Sequence, residues 1–255
     1  MFAALFLTAL TFQDPNPPAP VPQDKPAAAP AAPVEPPKVV EAWDDKVAKA
    51  AADELGKVLK SSPSMNEKNK ALEALATGSN KLLLKPLATM VETDKSVVIR
   101  KRAAELIANQ PAADANATIR KLLKSPKVGG QPAVLAELVR ALSRCGYQSA
   151  QWADIGDLFE REYSAERVPL QEALLKLVET HKEKQALPML LRNLDEPIPE
   201  DEHAGHNPPA EYWEARWKAW QAWREKVKDA LFAITGQRFS TAAEAKAWLQ
   251  KNPKK

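Results

Sequence analysis

The sequence predicts an all-α fold: an α-solenoid of antiparallel helix pairs, preceded by a disordered Pro/Ala-rich leader. Three observations predict it. From Val39 onward the apolar residues recur at three- and four-residue spacing, which is the period of one helix face. The breaks in that pattern carry helix punctuation. Similar helices return every 35 or 36 residues, the mark of a repeat architecture.

In chain order, the first segment is residues 1–12. Phe2 to Phe12 is apolar apart from Thr8 and Thr11. Eleven residues are too few to span a bilayer core, which needs about 20 in a helix. The length suits the apolar region of a secretory signal. No Lys or Arg precedes it, and Ala9-Leu10-Thr11 is the best small-x-small site for cleavage. The expectation is an exported chain, periplasmic or in the cell envelope, that meets a membrane only through this segment. If residues 1–12 are not a signal, the chain is cytoplasmic.

Residues 13–37 form the expected linker. The stretch Pro15 to Pro37 holds 10 of the 22 prolines, and nothing in it could fill a core. Proline favours the polyproline II conformation. At about 3.1 Å per residue the segment reaches on the order of 75 Å, a spacer between a surface and a folded part.

Residues 38–255 form the helical repeat domain, interrupted by an acidic insertion at 195–210. Val47, Ala51, Leu55 and Val58-Leu59 make one stripe; Leu82-Leu83, Leu87, Met90 and Val91 make another. No segment alternates with period two, so no strands are expected. Breaks fall at Ser61–Ser64, Thr77–Asn80, Asn109–Pro111, Gly129–Pro132 and Cys145-Gly146. Three helices look alike, at 96–109, 132–144 and 168–180. Their late leucines Leu106, Leu142 and Leu177 stand 36 and 35 apart. Helices at 80–93, 113–124 and 151–163 precede them, and 182–194 with 211–234 makes a fourth pair. One such pair cannot bury both apolar faces, whereas stacked pairs can. Residues 39–76 suit either a first repeat or an end cap.

The segment Asp94-(x)4-Ile99-Arg100-(x)2-Ala103-Ala104-x-Leu106 resembles the second helix of a HEAT repeat. The tail, Ala230 to Gln237 with Phe239 and Trp248, is similar to the ending of exported bacterial HEAT-repeat proteins. The resemblance covers about residues 80–250. It implies an armadillo-like α-solenoid in which Asp94 and Arg100 bridge adjacent repeats. Arg140 and Gln171 depart from that pattern in the later repeats.

Composition narrows the chemistry. Eight glycines disfavour folds built on many tight turns or phosphate-cradling loops. The net charge is +3. Residues 38–127 carry 17 basic and 11 acidic groups, and 128–255 carry 18 and 19. The first half is thus mildly basic, short of a typical nucleic-acid binder. With one cysteine, Cys145, there is no intrachain disulfide and no basis for a Cys-based metal centre. No Gly-x-Ser-x-Gly, Walker, HExxH or CxxC motif occurs. His181 stands at a helix end, where a cationic side chain suits the dipole.

Three groups of residues are candidates for binding. Tyr212, Trp213, Trp217, Trp220 and Trp223 lie on one predicted helix, with the four tryptophans inside an arc of about 120° at 100° per residue. The arc suits a buried face, and alternatively an aromatic platform for a partner. His203 and His206, in the acidic insertion, are the candidate metal ligands, set against a plain solvated loop. Arg100 and Arg102 head a basic run that continues through Arg120, Lys121, Lys124 and Lys127 and suits contact with a partner.

The expected function is a non-enzymatic scaffold that binds another protein, with no cofactor and no nucleic acid. The alternatives are an accessory ligand or metal binder that uses residues 195–224, and a cytosolic nucleic-acid-binding HEAT-like protein.

Overall fold

The structure, a computed structural model, describes residues 39–199 and 207–252. The chain divides into two units, 1–37 and 38–255. The apolar segment 1–12 and the linker 13–37 lie outside the described residues. The second unit is all-α.

Its first helices are α1 (Asp45–Lys60) and α2 (Met65–Ala74). Asp44 caps α1 by accepting the Val47 N–H at 2.8 Å. Ser64 and Glu67 form a reciprocal capping box on α2. Then follow α3 (Leu84–Thr93), α4 (Val97–Ile107), α5 (Ala112–Leu123), the single turn α6 (Pro126–Gly129) and α7 (Pro132–Arg144). The short α8 (Trp152–Ile155), α9 (Val168–His181), α10 (Leu187–Arg192), α11 (Ala210–Thr235) and α12 (Ala242–Lys251) complete the order.

Three local features differ from the sequence expectation. Two-residue strands do occur: β1 (Glu41–Ala42) pairs in parallel with β2 (Gly78–Ser79). They are too short to leave a period-two signal. The helix expected over 151–163 is instead a series of single turns, with α8 between 3-10 turns at Ser149–Gln151 and Gly156–Leu158. The Trp152 indole lies so close to Gly156 that a Cβ there would sit 2.8 Å from the ring. The helix expected over 182–194 is shorter, because Lys182 adopts a left-handed conformation (φ 51°) that ends α9. Glu183 then caps a 3-10 turn that leads into α10.

Helices α2, α4, α7, α9 and α11 pack against one another in succession. Helix α3 lies on α4 and α5, α5 lies on α7, and α10 contacts α11 and α12. The buried apolar side chains form one cluster from Ala48 to Ala245.

Polar side chains join neighbouring pairs at the turns. Asn109 donates to the Ala76 carbonyl, 33 residues back, at 3.2 Å. Gln151 donates to Asn116 Oδ1, 35 back, at 2.7 Å. Tyr147 donates to Glu183, 36 ahead, at 2.8 Å. Asn193 donates to Glu160, 33 back, at 2.7 Å. Each bond satisfies a group that burial would otherwise leave unpaired.

Asp94 and Arg100 reach in opposite directions. Asp94 accepts from Lys68 Nζ at 2.6 Å, back on α2. Arg100 donates from Nε to the Val91 carbonyl at 2.6 Å and from Nη2 to the Lys127 carbonyl of α6 at 2.9 Å. Each ties its own pair to a different neighbour.

The β1–β2 contact depends on Gly78. A Cβ at that position would lie 2.4 Å from the Trp43 ring, so any side chain must displace the indole. Gly78→Ala is expected to destabilise the fold by about 1–3 kcal/mol through overpacking. Chemical denaturation followed by tryptophan emission measures this. An unchanged midpoint would refute the close packing of Trp43.

Candidate functional site

The tryptophan helix is α11, which starts after Pro209 and runs 26 residues. It ends at Gly236, whose φ of 73° suits a residue without a Cβ and whose N–H reaches the Phe232 carbonyl at 2.7 Å. The aromatic arc expected on this helix is graded along its length. Trp223 is fully buried, donates to Gln171 Oε1 at 3.1 Å and meets Phe159 edge-on at 5.0 Å. Trp220 is buried, Tyr212 and Trp213 are half-buried, and Trp217 is 37% exposed. The arc is core at its C-terminal part and surface at its N-terminal part.

Around that N-terminal part, two guanidinium groups lie on aromatic rings. The Arg216 guanidinium is 5.5 Å from the Tyr163 ring centre and 5.6 Å from that of Trp213. Arg224 is 5.1 Å from the Trp220 ring. Tyr212 meets both Tyr163 and Trp213 edge-on. Trp217 Nε1 donates to Glu196 at 2.5 Å. Among the described residues, four buried side-chain nitrogens have no hydrogen-bond partner, and three of them are Trp213 Nε1, Arg216 Nε and Trp220 Nε1.

The basic run is largely engaged within the chain. Arg100, expected to face a partner, is instead buried with its guanidinium on two carbonyls. Burial pushes its pKa down, and the Asp94 carboxylate opposes that shift. Arg102 is partly exposed and pairs with Glu105 at 2.6 Å. Arg120 and Lys124 both bind Asp154, and together they hold its carboxyl below the usual range.

A groove missed by the sequence reading is lined by residues of α4, α7, α9 and α11. Two clefts, of about 520 and 490 Å³, share Arg140, Ala173 and Lys176. Glu105 and Glu137 flank one end, Lys226 and Asp229 the other. Lys226 crosses between helices to Glu172 at 2.5 Å. The signal for this groove was present in the sequence, because Glu105, Arg140 and Lys176 stand 35 and 36 residues apart. In the alignment of Leu106, Leu142 and Leu177, Glu105 and Lys176 each precede the leucine by one residue and Arg140 precedes it by two.

Ser143, which lines one cleft, lies 2.9 Å from His181 Nε2. The same nitrogen is 3.1 Å from the Ser143 carbonyl. The contact links α7 to α9.

The candidate metal ligands His203 and His206 lie outside the described residues. Of the insertion's described part, Asp195 accepts the Ala242 N–H at 2.9 Å at the start of α12, and Glu196 meets Trp217. Among the described residues there is no group of three His, Cys, Asp or Glu side chains placed to hold a metal ion. None of their helices is long and apolar enough to cross a membrane. No protein-family model, curated protein or solved structure matches the chain.

Proposed function

We propose that the chain is a non-enzymatic scaffold that holds another protein on a HEAT-like α-solenoid, exported or tethered through its N-terminal segment. The observation that carries this reading is the groove lined by α4, α7, α9 and α11, where three helices that pack in succession bear Glu105, Arg140 and Lys176. A surface assembled from successive repeats is extended and regular, which suits a protein segment better than a compact small molecule. Polar bonds between neighbouring pairs, 33 to 36 residues apart, support the solenoid arrangement.

Both charge signs line the groove, so the partner it suits is a mixed-charge segment aligned by complementary ion pairs. Arg140→Glu combined with Lys176→Glu is expected to weaken capture of that partner at least roughly tenfold, with the melting temperature unchanged. Both side chains are exposed, which keeps the cost to the fold small. Crosslinking in intact cells, followed by mass spectrometry of wild type and variant, measures the effect. An identical set of crosslinked proteins would overturn the assignment of the groove. Cell fractionation tests the location, and a purely cytosolic chain would end the exported reading.

The basic run supports a nucleic-acid reading less well, because Arg100 is buried with its guanidinium on two backbone carbonyls.

A further inference from the structure

We propose that two copies of this chain pair about a twofold axis through the apolar cleft between α1 and α2. The pairing goes beyond the scaffold reading and does not use the groove.

The two ends of the helix succession differ. At the C-terminal end α12 packs on α10, with Ala242 and Ala245 buried and Glu244, Lys246, Gln250 and Lys251 exposed. That end has the polar outer face which the last layer of a stack of helix pairs needs. At the N-terminal end α1 packs on α2 and α3, and only Ala48 and Leu55 of its 16 residues are buried. Val47, Ala51, Leu55 and Val58 follow at steps of three and four residues and share one face. Val47 is 46% exposed, and Ala51 and Val58 are half-buried. Next to this stripe a cleft of about 420 Å³ opens between α1 and α2, with Ala51, Leu55, Val58, Ala71, Ala74 and Leu75 as its apolar lining.

Two arguments select a second copy as the occupant. An open apolar end calls for another apolar helix layer. The C-terminal end of another copy presents the charged face of α12, whereas its N-terminal end presents the same apolar stripe. Such a contact uses one patch twice and closes at two chains. The rim of the cleft is also self-complementary in charge. Glu54 on α1 and Lys70 on α2 line the same cleft, and both are exposed. A twofold axis that sets Glu54 of one copy on Lys70 of the other forms that ion pair twice. Within one chain Glu54 meets Lys57 at 3.2 Å on the open surface, a contact too weak to compete with a pair shielded by the interface. The paired assembly presents the groove twice, so a partner with two matching segments gains avidity.

Sedimentation equilibrium of the full chain tests this. At about 100 µM, where a micromolar pairing is complete, the mass should be twice that of one chain, and it should fall toward one on dilution. Val47→Glu should weaken the association roughly tenfold. Lys70→Glu and Glu54→Lys should each do the same, because each sets like charges opposite one another twice. An equimolar mixture of these last two variants should recover pairing, since both contacts then join opposite charges. Lys70 and Glu54 are exposed, so the variants should fold, and circular dichroism checks that they do. A single-chain mass at every concentration, a mass above two chains, undiminished pairing by the variants, or a mixture that stays apart would overturn the proposal. A chain that stays single, yet loses its crosslinked partner when Arg140 and Lys176 are reversed, refutes the pairing and leaves the scaffold reading intact.

Discussion

Trp223→Ala is expected to lower the thermal midpoint by roughly 10 °C, from a loss of about 3–5 kcal/mol in a domain of this size. Three contributions combine. The side chain is fully buried, so truncation leaves a large cavity. Its edge-on contact with Phe159, at 5.0 Å between ring centres, disappears. The acceptor Gln171 Oε1, itself fully buried, is left without the indole donor while its amide still holds the Phe159 carbonyl at 3.0 Å. Trp223→Phe separates these effects. It keeps most of the volume and removes the donor, so it should cost about 1–3 kcal/mol for the orphaned acceptor. Thermal and urea denaturation followed by circular dichroism measure both. A shift of only a degree or two for Trp223→Ala would mean that α11 is not seated on α9 as described.

Alkaline pH should produce the second large effect. Burial raises the Tyr163 phenol to about 12, with the nearby Arg216 cation opposing the shift. Tyr147 is raised further, first by burial, then by its hydrogen bond to Glu183 and the charge of that carboxylate. In the unfolded chain both phenols ionise near the ordinary pKa of about 10. Above that pH the unfolded state sheds protons that the folded state keeps, so stability falls as pH rises. Below about pH 10 both states hold the proton and the contribution is constant. Tyr163 alone should remove about 2 kcal/mol by pH 12. Tyr147 adds a loss of the same sign. The double variant Tyr147→Phe/Tyr163→Phe should flatten the slope. Urea midpoints taken from neutral pH to about pH 11 test this, and a wild-type midpoint constant over that range would contradict it.

The helical period made most of the fold legible in advance. Leu106, Leu142 and Leu177 marked three helices that form α4, α7 and α9. Capping residues such as Ser64 and Ser96 stand at the starts they suggest. What stayed hidden depended on contacts far apart in sequence. Nothing local foretells that Trp43 covers Gly78 beside a two-residue strand pair. The arginine pattern of the HEAT resemblance pointed to Arg100 as a linking residue, and it does link two segments, but burial removes it from any partner surface. The tryptophan arc was visible, whereas its grading from core to surface was not. A helical wheel superimposes all turns, and only the packing of α9 along part of α11 separates them. The charges of the groove, Glu105, Arg140 and Lys176, recur 35 and 36 residues apart, but the leucine alignment sets Arg140 one position away from the other two, so the leucines alone did not point to the groove.

The turn bonds also set a schedule for synthesis. Asn109 closes onto a carbonyl 33 residues earlier, and Gln151 onto Asn116 35 residues earlier. A ribosome adds about 5–20 residues per second, so each pair waits only a few seconds for the next to emerge. The C-terminal end waits longer: Trp223 meets Gln171 across 52 residues, and Ala242 meets Asp195 across 47. The insertion lengthens both intervals. For that time the apolar face of α9 that will receive Trp223 is on the nascent chain without its cover, which makes this junction the stage of synthesis most exposed to chaperones and to wrong partners.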